Sequence, residues 1–142
     1  MIMSAKNAQT KEEDLYMKNS VLLDSDVIIW FLRGRIDIKE KLQKFFLEET
    51  LYTTPVSVAE IFAGLRPNES KMIKEFFNQL NISTITYDIG CLAGEYLNKY
   101  SKSHNVELGD ALIAASALTF NLKLWTLNTK HYPMLTSQNL IA

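Results

Sequence analysis

The sequence predicts an α/β fold in which a parallel sheet is covered by helices on both faces. Short runs rich in strand-forming residues alternate with longer segments whose apolar residues recur at helical spacing. Strands separated by helices in this way favour a parallel sheet, because each crossover returns the chain to the same end of the sheet. The 142 residues and their 47% hydrophobic content suit one domain with a single buried core.

The first predicted strand and helix meet at a pair of acids. Val21-Leu22-Leu23 is too short for an amphipathic helix but long enough for a buried strand. Asp24 follows it, and the apolar block after Asp26 predicts a helix whose free N–H groups are capped by Ser25 or Asp26. An acid between a strand and a helix lies at the carboxyl edge of a parallel sheet, where such sheets bind ligands.

The later elements follow from the same reasoning. Gly34 is expected to end the first helix, and Asp88 is expected to cap the helix that follows the third strand. The predicted order is a helix at 38–46, a strand at 51–54, helices at 55–65 and 68–80, a strand at 82–87, a helix at 89–100, a loop at 101–105, a buried helix at 108–120, a strand at 122–127 and a last short strand at 140–141.

Residues 1–17 are expected to form a polar N-terminal extension, and residues 18–142 the folded domain. The first sixteen residues lack the apolar core of a signal peptide, and no apolar run approaches the length of a membrane span. The lone Cys91 cannot form an internal disulfide and lies in an apolar helical stretch, which predicts a buried thiol. We therefore expect a cytoplasmic protein with no membrane partner. Its net charge of −1 gives no whole-molecule attraction to nucleic acid.

Three acids and an amide are predicted to share one edge of the sheet. Asp24 and Asn128 each end a strand, Glu60 lies on the helix after the second strand, and Asp110 opens the buried helix. Asp24 or Asp110 alone also suits a helix cap, whereas Glu60 has apolar neighbours, among which an unpaired carboxylate is costly. Two carboxylates about 5 Å apart repel by roughly 3 kcal/mol at an effective dielectric near 20. Three of them require protons, basic partners or a metal, and hard oxygen ligands favour Mg²⁺ or Mn²⁺.

Four segments together resemble, in order and spacing, the motifs of PIN-domain ribonucleases, and above all the VapC-type toxins of type II toxin–antitoxin pairs. They are LLDSDVIIWFL, TTPVSVAEIFAGL, ELGDALIAASAL and LWTLNTKHYPML, and the resemblance runs from about Lys18 to the end. It implies a three-layer α/β sandwich with a central parallel sheet of about five strands. It also implies Mg²⁺- or Mn²⁺-dependent cleavage of RNA phosphodiester bonds, homodimerisation and neutralisation by a small antitoxin protein.

The resemblance also implies roles for individual residues. Asp24 and Asp110 match the leading metal ligands, and Glu60 is expected to bind the metal or orient its water. Asn128 stands where many members carry a fourth acid, so the site loses one negative charge and a one-metal arrangement is favoured. These four residues are the expected catalytic set. Asp26 stands where the family usually has Asn or Ser.

Other polar residues flank the four segments. Ser25 and Thr126 are expected to orient the ligands. His104 is expected at the surface, and His131 is expected to serve packing or loop structure rather than catalysis. The basic residues that suit phosphate contacts, or ordinary solvated charge, are Arg33, Arg35, Arg66 and Lys130.

Two other functions remain open. LLDSDVI also resembles the strand-ending Asp-x-Asp of haloacid-dehalogenase phosphohydrolases, in which Asp24 is the nucleophile and Asp26 the acid/base. That function needs a later lysine and a late acidic pair, and it leaves Glu60 without a role. A non-catalytic PIN-like binding module is the second alternative, although such a module gains nothing from the mutual repulsion of three acids.

Overall fold

A computed structural model describes residues 19–142 and shows a four-stranded parallel sheet. The strands are β1 (Ser20–Leu23), β2 (Thr50–Thr53), β3 (Asn81–Ile82) and β4 (Lys123–Trp125). Their order in the sheet is β3-β2-β1-β4, so β1 is central and pairs in parallel with both β2 and β4. The predicted N-terminal extension, residues 1–17, lies outside the described residues.

Helices cover both faces of this sheet. They are α1 (Ser25–Leu32), α2 (Ile36–Glu48), α3 (Pro55–Ala63), α4 (Ser70–Asn78), α5 (Tyr87–His104) and α6 (Leu108–Thr119), with short 3₁₀ helices at Thr129–His131 and Ser137–Asn139. Val21 and Leu23 pack with residues of α1 to α4, whereas Leu22 packs with α6 on the opposite face. The predicted three-layer α/β fold is therefore confirmed. Within residues 19–142, no helix has both the length and the apolar character that a bilayer crossing requires.

The third strand is shorter than predicted. The predicted strand at 82–87 ends after Ile82. The Ser83 N–H still donates to Thr53 O, but β2 ends at Thr53, so the residues after Ser83 have no partner strand and leave the sheet. Thr86 caps α5 through its hydroxyl, which accepts a hydrogen bond from a free N–H of the first turn. Asp88, the predicted cap, instead lies within that first turn.

Helix α5 extends through most of the predicted loop at 101–105. It ends only at His104, and Asn105 adopts a left-handed conformation with φ of 54° that terminates it. Lys102 lies in the last turn, where its positive charge interacts favourably with the helix dipole. The loop prediction was wrong because the polar composition of this turn reflects its exposure. The predicted surface position of His104 is confirmed.

Two other expectations need correction. Cys91 is exposed, so the predicted buried thiol is wrong: α5 turns Ile89 and Ala93 toward the core and leaves Cys91 outside. The predicted last strand is reduced to a single parallel bridge between Leu124 and Leu140. The sheet thus has four strands and one bridge instead of about five strands, and its α/β class is unchanged.

Candidate active site

The centre of the candidate site is Asp24, which leaves β1 beside the end of β4. Its N–H donates to Trp125 O at 3.0 Å, which continues the ladder and brings Thr126 alongside. Asp24 Oδ1 accepts from the Ser25 N–H at 2.7 Å, so Asp24 caps α1 rather than the predicted Ser25 or Asp26. Asp24 Oδ2 accepts from the hydroxyls of Thr126 and Tyr132, each at 2.8 Å. This carboxylate is held in one orientation by three donors.

Asp26 ties the loop after β4 to the first turn of α1. Its Oδ2 accepts from the Leu127 N–H at 3.0 Å and more weakly from Thr126 Oγ1 at 3.4 Å, and its Oδ1 accepts from the Val27 N–H at 2.7 Å. Burial, followed by the negative charge of Asp24, raises the pKa of Asp26 to about 6. Asp26 thus fixes the position of Thr126, which in turn contacts Asp24.

Glu60 reaches the site from an exposed position on α3. The burial that its apolar neighbours predicted is wrong, because α3 buries only Ser57 and Ile61. Glu60 Oε1 accepts from Ser25 Oγ at 3.2 Å, and Ser25 also bonds to Ser57 Oγ at 3.0 Å. The same carboxylate oxygen lies 3.5 Å from where a Cβ would stand on Gly109, at the start of α6. Glu60 therefore lies between α1 and α6.

Asp110 is placed by a capping box at the start of α6. Its Oδ2 accepts from the Glu107 N–H at 3.1 Å, and the Glu107 side chain in turn accepts from the Asp110 N–H. His131 Nδ1 lies 3.9 Å from Asp110 Oδ2, and His131 Nε2 lies 3.1 Å from Asn128 Nδ2. His131 therefore connects Asp110 to the exposed Asn128 and lies at the site, a position that sequence analysis did not predict.

The acids at this edge of the sheet act on one another's pKa. Burial and the charges of Asp24, Asp110 and Glu107 raise the pKa of Glu60, while the hydrogen bond from Ser25 lowers it. Burial also raises the pKa of Asp110, with further contributions from Asp24 and Glu107 and an opposing one from His131. The carboxylates that act on one another are all negative, and their oxygens are the donors that Mg²⁺ and Mn²⁺ prefer.

This donor set fits a hard divalent cation, although the acids are not gathered into a ready-made cage. Within the described part of the chain, no three Asp, Glu, His or Cys side chains are grouped closely enough to hold a metal ion. Each acid is instead held by protein hydrogen bonds: Asp24 by three donors, Glu60 by Ser25 and Asp110 by Glu107. A cation of this kind completes its coordination with water, so three converging protein ligands are not required.

Two of the four predicted phosphate contacts lie beside Glu60. Arg33 and Arg66 line a cavity of about 340 Å³ between α1, α3 and α4, and Glu60 lines the same cavity. Arg35 is engaged elsewhere, since its guanidinium contacts Asp37 at 2.8 Å. Lys130 lies exposed on the 3₁₀ helix after Asn128.

Sequence analysis missed Tyr132. The side chain is 2% exposed, and burial together with the charge of Asp24 raises the pKa of its hydroxyl well above the usual range. The available signal was a tyrosine directly after a polar turn in the last of the four segments. The orienting roles expected of Thr126 and Ser25 each have a geometric basis. Thr126 donates to Asp24, and the Ser25 hydroxyl donates to Glu60.

Comparison with known proteins identifies the family. The PIN domain model matches residues 21–133. Ribonuclease VapC10 of Mycobacterium tuberculosis is 36% identical over 115 residues, which cover 80% of this chain and 86% of that protein. Ribonuclease VapC19 of the same organism is 29% identical over 115 residues, which cover 80% of this chain and 92% of that protein.

Solved structures show the same fold. A toxin–antitoxin complex from Klebsiella pneumoniae contains a chain with a TM-score of 0.69 and 22% identity, and the match covers 85% of this chain and 99% of that chain. VapBC2 from Rickettsia felis, bound to a fragment of promoter DNA, contains a chain with a TM-score of 0.68 and 20% identity. The match covers 86% of this chain and 96% of that chain. The match of the family model over most of the chain and the likeness to VapC10 agree with the four segments first noted in the sequence. This chain belongs to the PIN-domain family.

Proposed function

We propose that this protein is the ribonuclease toxin of a toxin–antitoxin pair and that it cleaves RNA phosphodiester bonds with Mg²⁺ or Mn²⁺. The observation that carries the proposal is geometric: Ser25 bonds to both Asp24 and Glu60, and Glu60 lies against the first turn of α6, which carries Asp110. Membership of the PIN-domain family and the likeness to proteins named Ribonuclease VapC support it. A cytoplasmic location stays a prediction.

Each residue of the acidic edge has a distinct role in this proposal. Asp24 and Asp110 hold the cation, and Asn128 contributes an uncharged oxygen or N–H that positions water. The cation would polarise a phosphoryl oxygen and supply a hydroxide nucleophile at neutral pH. Glu60 binds the metal or orients its water, and its exposed carboxylate is held through Oε1 by Ser25.

Local charge, rather than net charge, brings RNA to this edge. Arg33 has no carboxylate within ion-pair distance in residues 19–142, and its guanidinium lies near the exposed ring of Trp30, 5.8 Å from the ring centroid. We propose that Arg33 contacts phosphates of the strand on the Glu60 side of the site, assisted by the exposed Arg66, whose Nε lies 3.7 Å from Glu69 Oε1. Arg35 is held more tightly, by two hydrogen bonds to Asp37, and contributes less.

The two alternatives fit the molecule less well. In the phosphohydrolase alternative Asp26 is the acid/base, but each of its two oxygens accepts a backbone N–H bond, from Val27 and from Leu127, which ties it to the loop after β4. The family match does not favour that class. A non-catalytic module offers no reason for three interacting acids.

The proposed function is tested with RNA and with p-nitrophenyl phosphate, each with and without Mg²⁺. We expect cleavage of RNA only, and only with the metal. Asp110→Asn should lose at least about 100-fold of this activity, because the amide removes a ligand charge while its oxygen can still accept from the Glu107 N–H. Asp88→Asn is the matched control, since Asp88 occupies the equivalent first turn of α5. Wild-type cleavage by Asp110→Asn would refute the site assignment.

We further propose a small antitoxin and a second copy of this chain as protein partners. The solved structures with this fold include toxin–antitoxin complexes, which supports the first partner. The dimer follows from the family resemblance. Sedimentation velocity of the chain alone tests the dimer, which a monomer at all concentrations would refute. Co-expression with the product of the neighbouring gene, where that gene encodes a small protein, tests the antitoxin.

A further inference from the structure

The two oxygens of the Asp24 carboxylate are not equally available. Oδ2 accepts hydrogen bonds from Thr126 Oγ1 and Tyr132 OH, both at 2.8 Å, whereas Oδ1 accepts only from the Ser25 N–H at 2.7 Å. A carboxylate oxygen has room for about two such partners. Oδ2 is therefore saturated, and one acceptor position remains on Oδ1.

The core, rather than Asp24, determines where the Tyr132 hydroxyl lies. The Tyr132 ring is buried in the apolar cluster on the α6 face of the sheet, with Leu22, Ile113 and Leu124. Its N–H donates to Thr129 O at 3.0 Å and closes the 3₁₀ helix after β4. The hydroxyl is thus in place before any ligand reaches Asp24, so no ordering is needed when one binds.

Thr126 is a weaker guide for Asp24 than Tyr132 is. Thr126 Oγ1 lies 2.8 Å from Asp24 Oδ2 and 3.4 Å from Asp26 Oδ2, so the two carboxylates compete for its one hydroxyl hydrogen. The same oxygen accepts from the Asn128 N–H at 3.1 Å. The Tyr132 hydroxyl makes one hydrogen bond within residues 19–142, and that bond is to Asp24. Its whole donor capacity is directed at Oδ2.

We infer that Tyr132 is a positioning residue that, with Thr126, holds Asp24 so that only Oδ1 is offered to a divalent cation. The inference rests on the proposed function, in which Asp24 is a metal ligand. Groups that hydrogen-bond to a ligating carboxylate orient it, and their loss typically lowers metal affinity or activity by about 10- to 100-fold. Without the Tyr132 hydroxyl, the Asp24 carboxylate is free to rotate, and a cation must then order it on binding.

Tyr132→Phe removes the hydroxyl and keeps the ring in the core. Tyr96→Phe is the matched control, because Tyr96 borders the same cluster and its hydroxyl has no hydrogen-bond partner in the described part of the chain. Mn²⁺ is titrated calorimetrically into each protein without RNA, and RNA affinity is measured in chelator. We expect Tyr132→Phe to bind Mn²⁺ about 10- to 100-fold more weakly, with RNA affinity unchanged, and Tyr96→Phe to match wild type.

A purely structural Tyr132 would lower the melting temperature and leave the Mn²⁺ affinity alone, and that result would overturn the inference. A crystal structure with Mn²⁺ in which both oxygens of Asp24 bind the metal would also overturn it. If Tyr132→Phe does not fold, Thr126→Ser and Thr126→Val decide: weaker Mn²⁺ binding in the valine variant alone supports the saturation of Oδ2, and equal binding contradicts it. If wild type binds no Mn²⁺ while Tyr132→Phe folds normally, the proposed function itself fails.

Discussion

Asp26→Asn is expected to stabilise the metal-free protein at neutral pH and to change little at pH 4. Burial and the charge of Asp24 raise the pKa of Asp26 from 3.8 to about 6, although the bonds from Leu127, Val27 and Thr126 oppose this. Between these two values the folded protein binds more protons than the unfolded chain does. The free energy of unfolding therefore falls as pH rises through this window, and the full penalty of the ionised carboxylate is present above pH 6.

The pKa difference sets the size of the effect. A rise of about two pH units corresponds to roughly 3 kcal/mol at about 1.36 kcal/mol per unit. Because the Asp26 side chain is partly exposed, solvent screening reduces this to about 1–2 kcal/mol. The single oxygen of the amide introduced by Asp26→Asn can keep the bond from the Leu127 N–H but not also the bond from the Val27 N–H, which offsets part of the gain. For a chain of this size, we expect a melting temperature higher at pH 7.5 by at most about 3–6 °C.

Thermal unfolding of wild type and Asp26→Asn in chelator, at pH 4 and pH 7.5, measures this gain. Asp37→Asn is the control of opposite sign, because the hydrogen bond from Arg35 lowers the pKa of the exposed Asp37. Its removal should give no gain at pH 7.5. If Asp26→Asn is no more stabilising at pH 7.5 than at pH 4, folding does not raise the pKa of Asp26 and the predicted penalty of its ionised carboxylate is wrong.

The remaining predictions concern the fourth position of the site and the N-terminal extension. Asn128→Asp should bind Mn²⁺ more tightly in calorimetry and unfold at a lower temperature in chelator, because the added charge attracts a cation and repels the other acids. An unchanged Mn²⁺ affinity in Asn128→Asp would place Asn128 too far away to contact the metal. Asp24→Asn, in contrast, should abolish RNA cleavage. Removal of residues 1–16 should hardly change the melting temperature or RNA cleavage, because they show no apolar periodicity; a loss of many degrees would contradict this.

The sequence predicted the class of fold and the edge that carries the acids because both follow from local pattern and parallel topology. Val21-Leu22-Leu23 is too short and too apolar for anything but a buried strand, and every strand of a parallel sheet ends at the same edge. Asp24 and Asp110 were therefore located from their places after a strand and before a buried helix. Strand ends were less predictable, because they depend on the length of the partner strand: the chain leaves the sheet after Ser83, where β2 ends.

Side-chain environments could not be predicted in the same way. The apolar neighbours of Glu60 suggested burial, but Ala59 and Ala63 are exposed, since composition does not tell which side of α3 faces the core. The bond between Tyr132 and Asp24 joins residues 108 positions apart, and only the packing of Tyr132 in the core defines it. No local pattern carries that information.

The capping and ligand roles of Asp24 and Asp110 support each other, although either role alone explains each residue. Asp24 accepts from the first N–H of α1, and Asp110 takes part in the capping box of α6. Each carboxylate thus lies at a helix N-terminus, where the helix dipole favours its negative charge by about 0.3–1 kcal/mol. The same backbone bonds fix the direction of each carboxylate, which is what a metal ligand needs. Asp110→Asn preserves an acceptor for the Glu107 N–H, so a small loss of stability beside a large loss of Mn²⁺ affinity would separate the two roles.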